Sequence, residues 1–493
     1  MKKLNQWQEA KFLRLFFACL SVCFLIAAFC MPDRSTMFTG LWKLLSGTCK
    51  ISTNYFAQGG YAATFLNMGL VGVICTALVC LPGAKPNNVT TLGVILTIGF
   101  GSWGINPLNM VPTVLGVCLY ALVKKEKLGA VSNAMLYSTG IAPLISDLLF
   151  RYPGTEYIGF NGLGIALAIF IGLVIGFFLP AGMAHAPNIH KGYDHYSAAV
   201  PIGFTAFFLR SALYTVLLGQ KTSELSTMAA LDVASWMNTN IFCLVLFALC
   251  IVFALLMGCT PRDYWNLMKD SGHGVCFSTK YGNATFLMNV GVFGLLILGY
   301  FNLAGALDSR NVWTGMTFGI VFCMLSTCNS GSHPRNVLPI MLGYIISSYL
   351  FAWLGKLLGM VLTFALVNVA YVFFRAASLE EAVLVLKEIF AVDSAVLFSG
   401  EAWFEALKGM EFFGLLPTDA LTWSHVLTNT GLGLTLCVVL LTLLDIGEGR
   451  GGKLADRVSA CVFPVRWAFC LLLLAAILLY GSFEPSGFYY FQF

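Results

Sequence analysis

Two short segments hold the residues of this chain best placed to do chemistry: Asn106-Pro107-Leu108-Asn109-Met110-Val111-Pro112 and His333-Pro334-Arg335-Asn336-Val337-Leu338-Pro339. In each, two prolines bracket an asparagine inside a hydrophobic stretch. Proline removes a backbone donor and disturbs the preceding turn. In hydrocarbon the groups it frees need partners from protein or from a water-lined cavity. Asn109 and Asn336 can donate and accept beside the break. The chemistry this suggests is recognition of a solute: two half-helices face each other, and their ends and Asn side chains line a path. Helix N-termini there favour an anionic or strongly polar group. The other reading of the same residues is a pair of packing kinks whose asparagines satisfy backbone carbonyls. Arg335 stands where the first copy has Leu108. An Arg at membrane depth points to function, unless the apolar run has already ended and the side chain reaches the interface.

The elements that carry these breaks are membrane helices. The chain has 493 residues, of which 58% are hydrophobic and 10% charged, with a mean hydropathy of +0.82. Soluble domains carry about 25% charged residues, so a soluble globular fold is excluded. Apolar runs near the roughly 20 residues that cross a bilayer predict an all-α polytopic protein with roughly eleven to thirteen spans. Lys2, Lys3, Lys11 and Arg14 precede the first run, which reads as an anchor with a cytoplasmic N-terminus; Lys124, Lys125 and Lys127 mark a second cytoplasmic loop. A net charge of +5 is ordinary for such a protein and does not suggest nucleic acid.

The breaks belong to a duplication. Ala63-Thr64-Phe65-Leu66-Asn67 returns as Ala284-Thr285-Phe286-Leu287, with Asn289 one position late. Carrying loop charges along the chain makes the first of these helices run inward and the second outward, which is an inverted repeat. The segment from Thr90 to Val123 starts and ends inside, as two spans or as a re-entrant hairpin. Asn67 and Asn289 are candidates to hydrogen-bond across helices and hold the repeats together. The expected units are 1–222, 223–355 and a different region over 356–493.

Other polar residues offer less. His185, His190 and His195 share a loop with Asp194, but their spacing does not put them on one helix face, and the expected set of metal ligands and cofactors is empty. Asp147 and Arg151, four residues apart, can pair at the interface. Sixteen scattered Cys residues read as small apolar packing groups. Ser330-Gly331-Ser332-His333 resembles a nucleophile and base only by adjacency, which seldom gives triad geometry. Runs such as Gly162-Leu163-Gly164 and Gly172 to Gly176 suit close helix packing.

Two family resemblances accompany these residues. Residues 1 to about 355, with the two proline breaks and the loop His190-Lys191-Gly192-Tyr193, resemble a bacterial family of duplicated polytopic membrane proteins known only as a domain of unknown function. That likeness implies a fold and no activity. Residues from about 357 to 493 look like the C-terminal end of the membrane-bound O-acyltransferase family of the alginate and D-alanine transfer type. The carriers are Val372-Phe373-Phe374-Arg375-Ala376-Ala377-Ser378-Leu379 and the ending Phe488-Tyr489-Tyr490-Phe491-Gln492-Phe493. That family's catalytic His segment has no counterpart here, so the resemblance implies a tail inactive in acyl transfer.

Together these features lead to an integral protein of the bacterial inner membrane, a transporter or channel-like permease for a small polar or anionic solute. The rivals are an O-acyltransferase acting on an envelope polymer and an inactive fusion of the two families. The expected partners are the lipid bilayer, the solute and a second copy of the chain.

Overall fold

The computed structural model describes residues 2–48, 54–154, 157–190, 198–210, 212–213, 230–307 and 313–354. The acyltransferase-like region from about 357 on, and Asp194 and His195 of the histidine-bearing loop, lie outside them.

A short α1 (Lys2–Asn5) leads into the apolar α2 (Glu9–Cys30). Then come α3 (Met37–Leu45), α4 (Tyr55–Gly59), α5 (Tyr61–Val79), α6 (Asn88–Phe100), the first proline break and α7 (Val111–Lys124). Next, α8 (Ser132–Ser138) and α9 (Ala142–Phe150), joined by a 3-10 turn, form one kinked span, followed by α10 (Gly162–His190) and α11 (Ala199–Arg210). The earlier order then recurs as α12 (Val233–Leu256), α13 (Pro261–Met268), α14 (Phe277–Tyr281), α15 (Asn283–Leu307), α16 (Gly315–Leu325), the second break and α17 (Pro334–Leu354). The fold is all-α, and no strand occurs among the described residues.

Among the described residues, six helical stretches are long and apolar enough to cross a membrane. The expected count of eleven to thirteen is larger partly because the sequence reads α7 and α16 as spans and leaves α6 either a span or one arm of a re-entrant hairpin. At about 1.5 Å per residue, the 13 residues of α6 reach only about 20 Å, short of a hydrocarbon core of about 30 Å. The runs beyond Leu354 lie outside the described residues.

Antiparallel pairs build the body. Arg14, in the second turn of α2, donates to Val79 O (3.2 Å) and Ala84 O (2.8 Å) at the far end of α5. In the same way α12 lies along α15, with Asn302 donating to Asn240 and Gly291 set against Phe247 and Ile251. Between the pairs sits an aromatic core in which Phe24 and Phe65 approach Phe242 at 4.8 and 4.9 Å, with Phe318 and Phe322 of α16 packed on them.

Both α5 and α15 begin just after a glycine at positive φ, Gly60 (+88°) and Gly282 (+85°). Side chains then take up the freed backbone donors: Asp33 accepts from Tyr61 N and Ala62 N, and Asn5 accepts from Ala284 N. Aligned on these glycines, Asn67 and Asn289 fall in register, seven residues on. The one-position lateness in the sequence belongs to the Ala-Thr-Phe-Leu echo. Its apolar members are interchangeable in a helix buried nearly all round, whereas the asparagine must meet the break.

α6 and α16 also pack antiparallel. Ser102 Oγ, past the end of α6, reaches Gly315 O at the start of α16 (3.3 Å). Reciprocally, Asn329 Nδ2 donates to Thr91 Oγ1 (3.2 Å), and Ser330 Oγ reaches Asn88 O (3.5 Å).

Candidate functional site

The two breaks share one hydrogen-bond plan. Asn67 Nδ2 donates to Gly101 O (2.7 Å) and Ile105 O (2.8 Å), and Asn289 Nδ2 donates to Cys328 O (2.8 Å) and Ser332 O (2.9 Å). Asn109 Nδ2 donates to Gly104 O and Asn336 Nδ2 to Gly331 O, both at 2.8 Å. Gly104 and Gly331 hold φ of +130° and +112°, a region closed to most side chains. The Asn side chains therefore close the carbonyls that the helix ends leave open, as a membrane interior demands.

The re-entry into helix uses reciprocal caps. Asn106 N donates to Asn109 Oδ1 (2.9 Å), while Asn106 Oδ1 accepts from Leu108 N and Asn109 N (3.0 Å each). This is the reciprocal pattern of a capping box, made by two asparagines on the turn that leads into α7, whose own first residues are preceded by Met110 without a side-chain cap; Pro107 stands where its missing N–H costs nothing. Pro112 lies in the first turn of α7. The second break has half of this device, because His333 N donates to Asn336 Oδ1 (3.0 Å) but the His333 ring turns away to Asp270 O (2.9 Å). A carbonyl can only accept, so His333 Nε2 carries the proton and Nδ1 is left as an acceptor. Burial, reinforced by the charge of Arg335 and opposed by the Asp270 carbonyl, lowers the His333 pKa. Asp270 itself stays ionised: burial works against this, but donors from Lys280, Tyr281 and Gly272 outweigh it and lower its pKa. Pro334 opens α17 and Pro339 lies inside it.

The structure does not set Asn109 facing Asn336. The first break lies at the C-terminal end of α6, whereas Asn329 and Ser330 of the second lie against its N-terminal end; a helix of about 20 Å lies between them. Both asparagines are buried and bonded within their own break. Asn67 and Asn289 likewise give their donors to their own repeat's break, not across to the other. Arg335 is exposed and reaches Met268 O (3.4 Å). Asp147 and Arg151 form a two-pronged pair, both contacts 2.6 Å. His185 is exposed on α10, and no metal-binding group occurs among the described residues.

Sequence reading missed a row of buried hydroxyl and amide groups between the first hairpin and the kinked span α8–α9. From the N-terminal end of α6 to the break, Thr90 donates to Asn133 Oδ1 (2.8 Å), Thr97 Oγ1 lies 3.4 Å from Thr139 Oγ1, Ser138 Oγ lies 3.4 Å from Thr113 Oγ1, and Asn109 Nδ2 donates to Ser146 Oγ (3.0 Å). Asn106 Nδ2 extends the row to Tyr55 OH (3.3 Å). All of these except Asn133 are buried. The available signal was one Ser, Thr or Asn roughly every two turns along an otherwise apolar run over 133–146.

The family model described as "Protein of unknown function (DUF1576)" matches residues 33–217, which contain the whole of this row and the first break but not the second. No curated protein and no solved structure matches the chain, so the acyltransferase likeness of the tail has no support from these comparisons. The N-terminal part of this membrane protein is thus similar to a family of unknown function.

Proposed function

We propose that the protein is a permease for a small polar solute, built from two inverted units whose proline-broken hairpins enter the membrane from opposite faces. The observation that carries this reading is the row of buried hydroxyl and amide groups between α6, α7 and α8–α9. In an apolar membrane protein such groups are costly unless they serve a polar occupant or one another, and this row extends along a full hairpin. The first hairpin leaves and returns on one side: Lys127, beyond α7, packs on Gly83, before α6. The second starts on the other side, where Gly315 meets Asn54, and its break returns to the level of Asp270 and Glu9. Glu9 accepts from Ser278 Oγ (2.6 Å) and Thr279 Oγ1 (2.8 Å) there. Equivalent helices α6 and α16 running antiparallel is what a two-fold axis in the membrane plane produces. The path then follows the first hairpin, with Asn106, Pro107, Asn109 and Pro112 at one end. Pro334, Asn336 and Pro339 belong to the break at the opposite end of α6.

The test is solute entry into proteoliposomes holding the full chain, followed by light scattering with uncharged, cationic and anionic probes. One probe class should enter well above empty vesicles, and the double change Thr97→Val with Thr139→Val should cut entry roughly tenfold at unchanged melting temperature. Entry no faster than into empty vesicles for every class would overturn the reading.

A further inference from the structure

The two breaks differ at one buried atom. In the second, Asn289 Oδ1 accepts from Tyr264 OH (3.2 Å), a phenol contributed by α13. In the first, Asn67 is fully buried, its Nδ2 is used twice, and no donor among the described residues reaches its Oδ1. The reason lies in α3. Counted from the capping residues Thr36 and Thr260, the place of Tyr264 is taken by Gly40. Gly40 lies so close to the Gly59 carbonyl and Ala63 Cβ that no side chain fits. The second repeat thus shows what suits this acceptor: a hydroxyl donor.

The row leading to the break has the same polarity. Thr97 Oγ1 donates back to Gly93 O (2.8 Å), Thr139 Oγ1 to Leu136 O (2.6 Å), Thr113 Oγ1 to Met110 O (3.0 Å) and Ser138 Oγ to Met135 O (2.8 Å). These protons point back along their own helices, apart from longer contacts of 3.4 Å between Ser138 and Thr113 and between Thr97 and Thr139, so the side of each group away from its helix offers mainly lone pairs. A surface of acceptors repels an anion. A cation would need a countercharge in hydrocarbon, and Asp147, the carboxylate next to Ser146 of the row, is already held by Arg151.

We propose that the first break binds an uncharged, hydroxyl-rich solute, with Asn67 Oδ1 accepting from one of its hydroxyl groups. The site is that of the permease reading and rests on it for its purpose, but binding can be measured without transport. The probe is radiolabelled erythritol, bound to the purified full chain and separately taken up by proteoliposomes. Sodium, ammonium and inorganic phosphate serve as competitors. Asn67→Asp, protonated in so buried a place, keeps an acceptor oxygen and one donor for the break; Asn67→Ser keeps one donor and draws the oxygen back toward its own helix, away from the solute. Each leaves at least one carbonyl of the break without its donor, so the melting temperature of both variants is recorded beside the binding. Binding should be saturable in the wild type, within about threefold of it in Asn67→Asp, and weakened roughly tenfold in Asn67→Ser, while Tyr264→Phe should leave it unchanged. Equal binding in Asn67→Ser and the wild type would overturn the proposal, as would displacement of erythritol by sodium, ammonium or phosphate, or the absence of saturable binding. Binding as expected without uptake would leave the site standing and sink the permease; uptake unaffected by Asn67→Ser would do the reverse.

Discussion

At the scale of single residues, the breaks depend on two asparagines that each silence two carbonyls. Truncating either leaves two buried acceptors without donors, at about 1–3 kcal/mol apiece. Asn67→Ala and Asn289→Ala should each lower stability by on the order of 2–5 kcal/mol, read as a fall in melting temperature in detergent. A loss within 0.5 kcal/mol of zero, the usual range for surface changes, would mean that the carbonyls find other partners. His333 gives a pH-dependent counterpart. Its folded pKa lies below the ordinary 6.5, so the unfolded chain takes up the proton first. Stability is therefore full above pH 6.5 and falls as pH drops through the window beneath it, by about 1.4 kcal/mol per pH unit until the folded ring also titrates. His333→Asn should flatten that decline and complete the second capping box on the pattern of Asn106 and Asn109. A melting profile below pH 6.5 unchanged by His333→Asn would exclude His333 as its source.

At the scale of elements, the long apolar helices α2, α5, α12 and α15 were legible because composition and length alone define a span. The duplication was legible because proline and asparagine cannot be exchanged for apolar residues at a break. What could not be read was the reach of the half-helices: an apolar run of 13 or 14 residues beside a proline has the same composition whether it crosses the bilayer or turns back inside it. The buried row was equally hidden, since Thr97 or Ser146 looks no different in sequence from a hydroxyl that merely bonds its own helix. Asn109 and Asn336 could be recognised as equivalent, but the antiparallel packing that puts their breaks at opposite ends of α6 is a tertiary fact. The glycine run after Gly172 was read correctly as a close contact. Gly172 and Gly176 of α10 lie against Pro112, Thr113 and Gly116 of α7, with no room for a Cβ. Gly176→Leu should therefore force α10 off the first hairpin and abolish a monodisperse, folded species on size-exclusion chromatography. Gly162→Ala, where nothing lies within 4 Å of the added carbon, should leave the profile unchanged.

At the scale of the whole molecule, the distribution of charge decides which way the protein faces. Lys11 and Arg14 open α2, Lys85 precedes α6, Lys124 and Lys127 follow the first hairpin, and Arg262 follows α12; the antiparallel pairings bring all of them to one side. Arg34, Lys43 and Arg151 fall at the other ends of the same helices. By the positive-inside rule this side is predicted to face the cytoplasm, with α2 running outward and the first hairpin entering from the cytoplasmic face. This orientation makes a prediction that separates a segment returning to its starting side from a single net crossing. On a cysteine-free background, Glu126→Cys and Arg262→Cys, both exposed, should react with a membrane-impermeant thiol reagent only after the cells are opened. Lys43→Cys and Tyr157→Cys, also exposed, should react in intact cells. If α6 crossed the bilayer and α7 did not come back, Glu126→Cys would label with Lys43→Cys, and the two units could not be related by an axis in the membrane plane. If all four sites simply exchanged sides, the hairpin would stand and only the direction inferred from charge would be reversed.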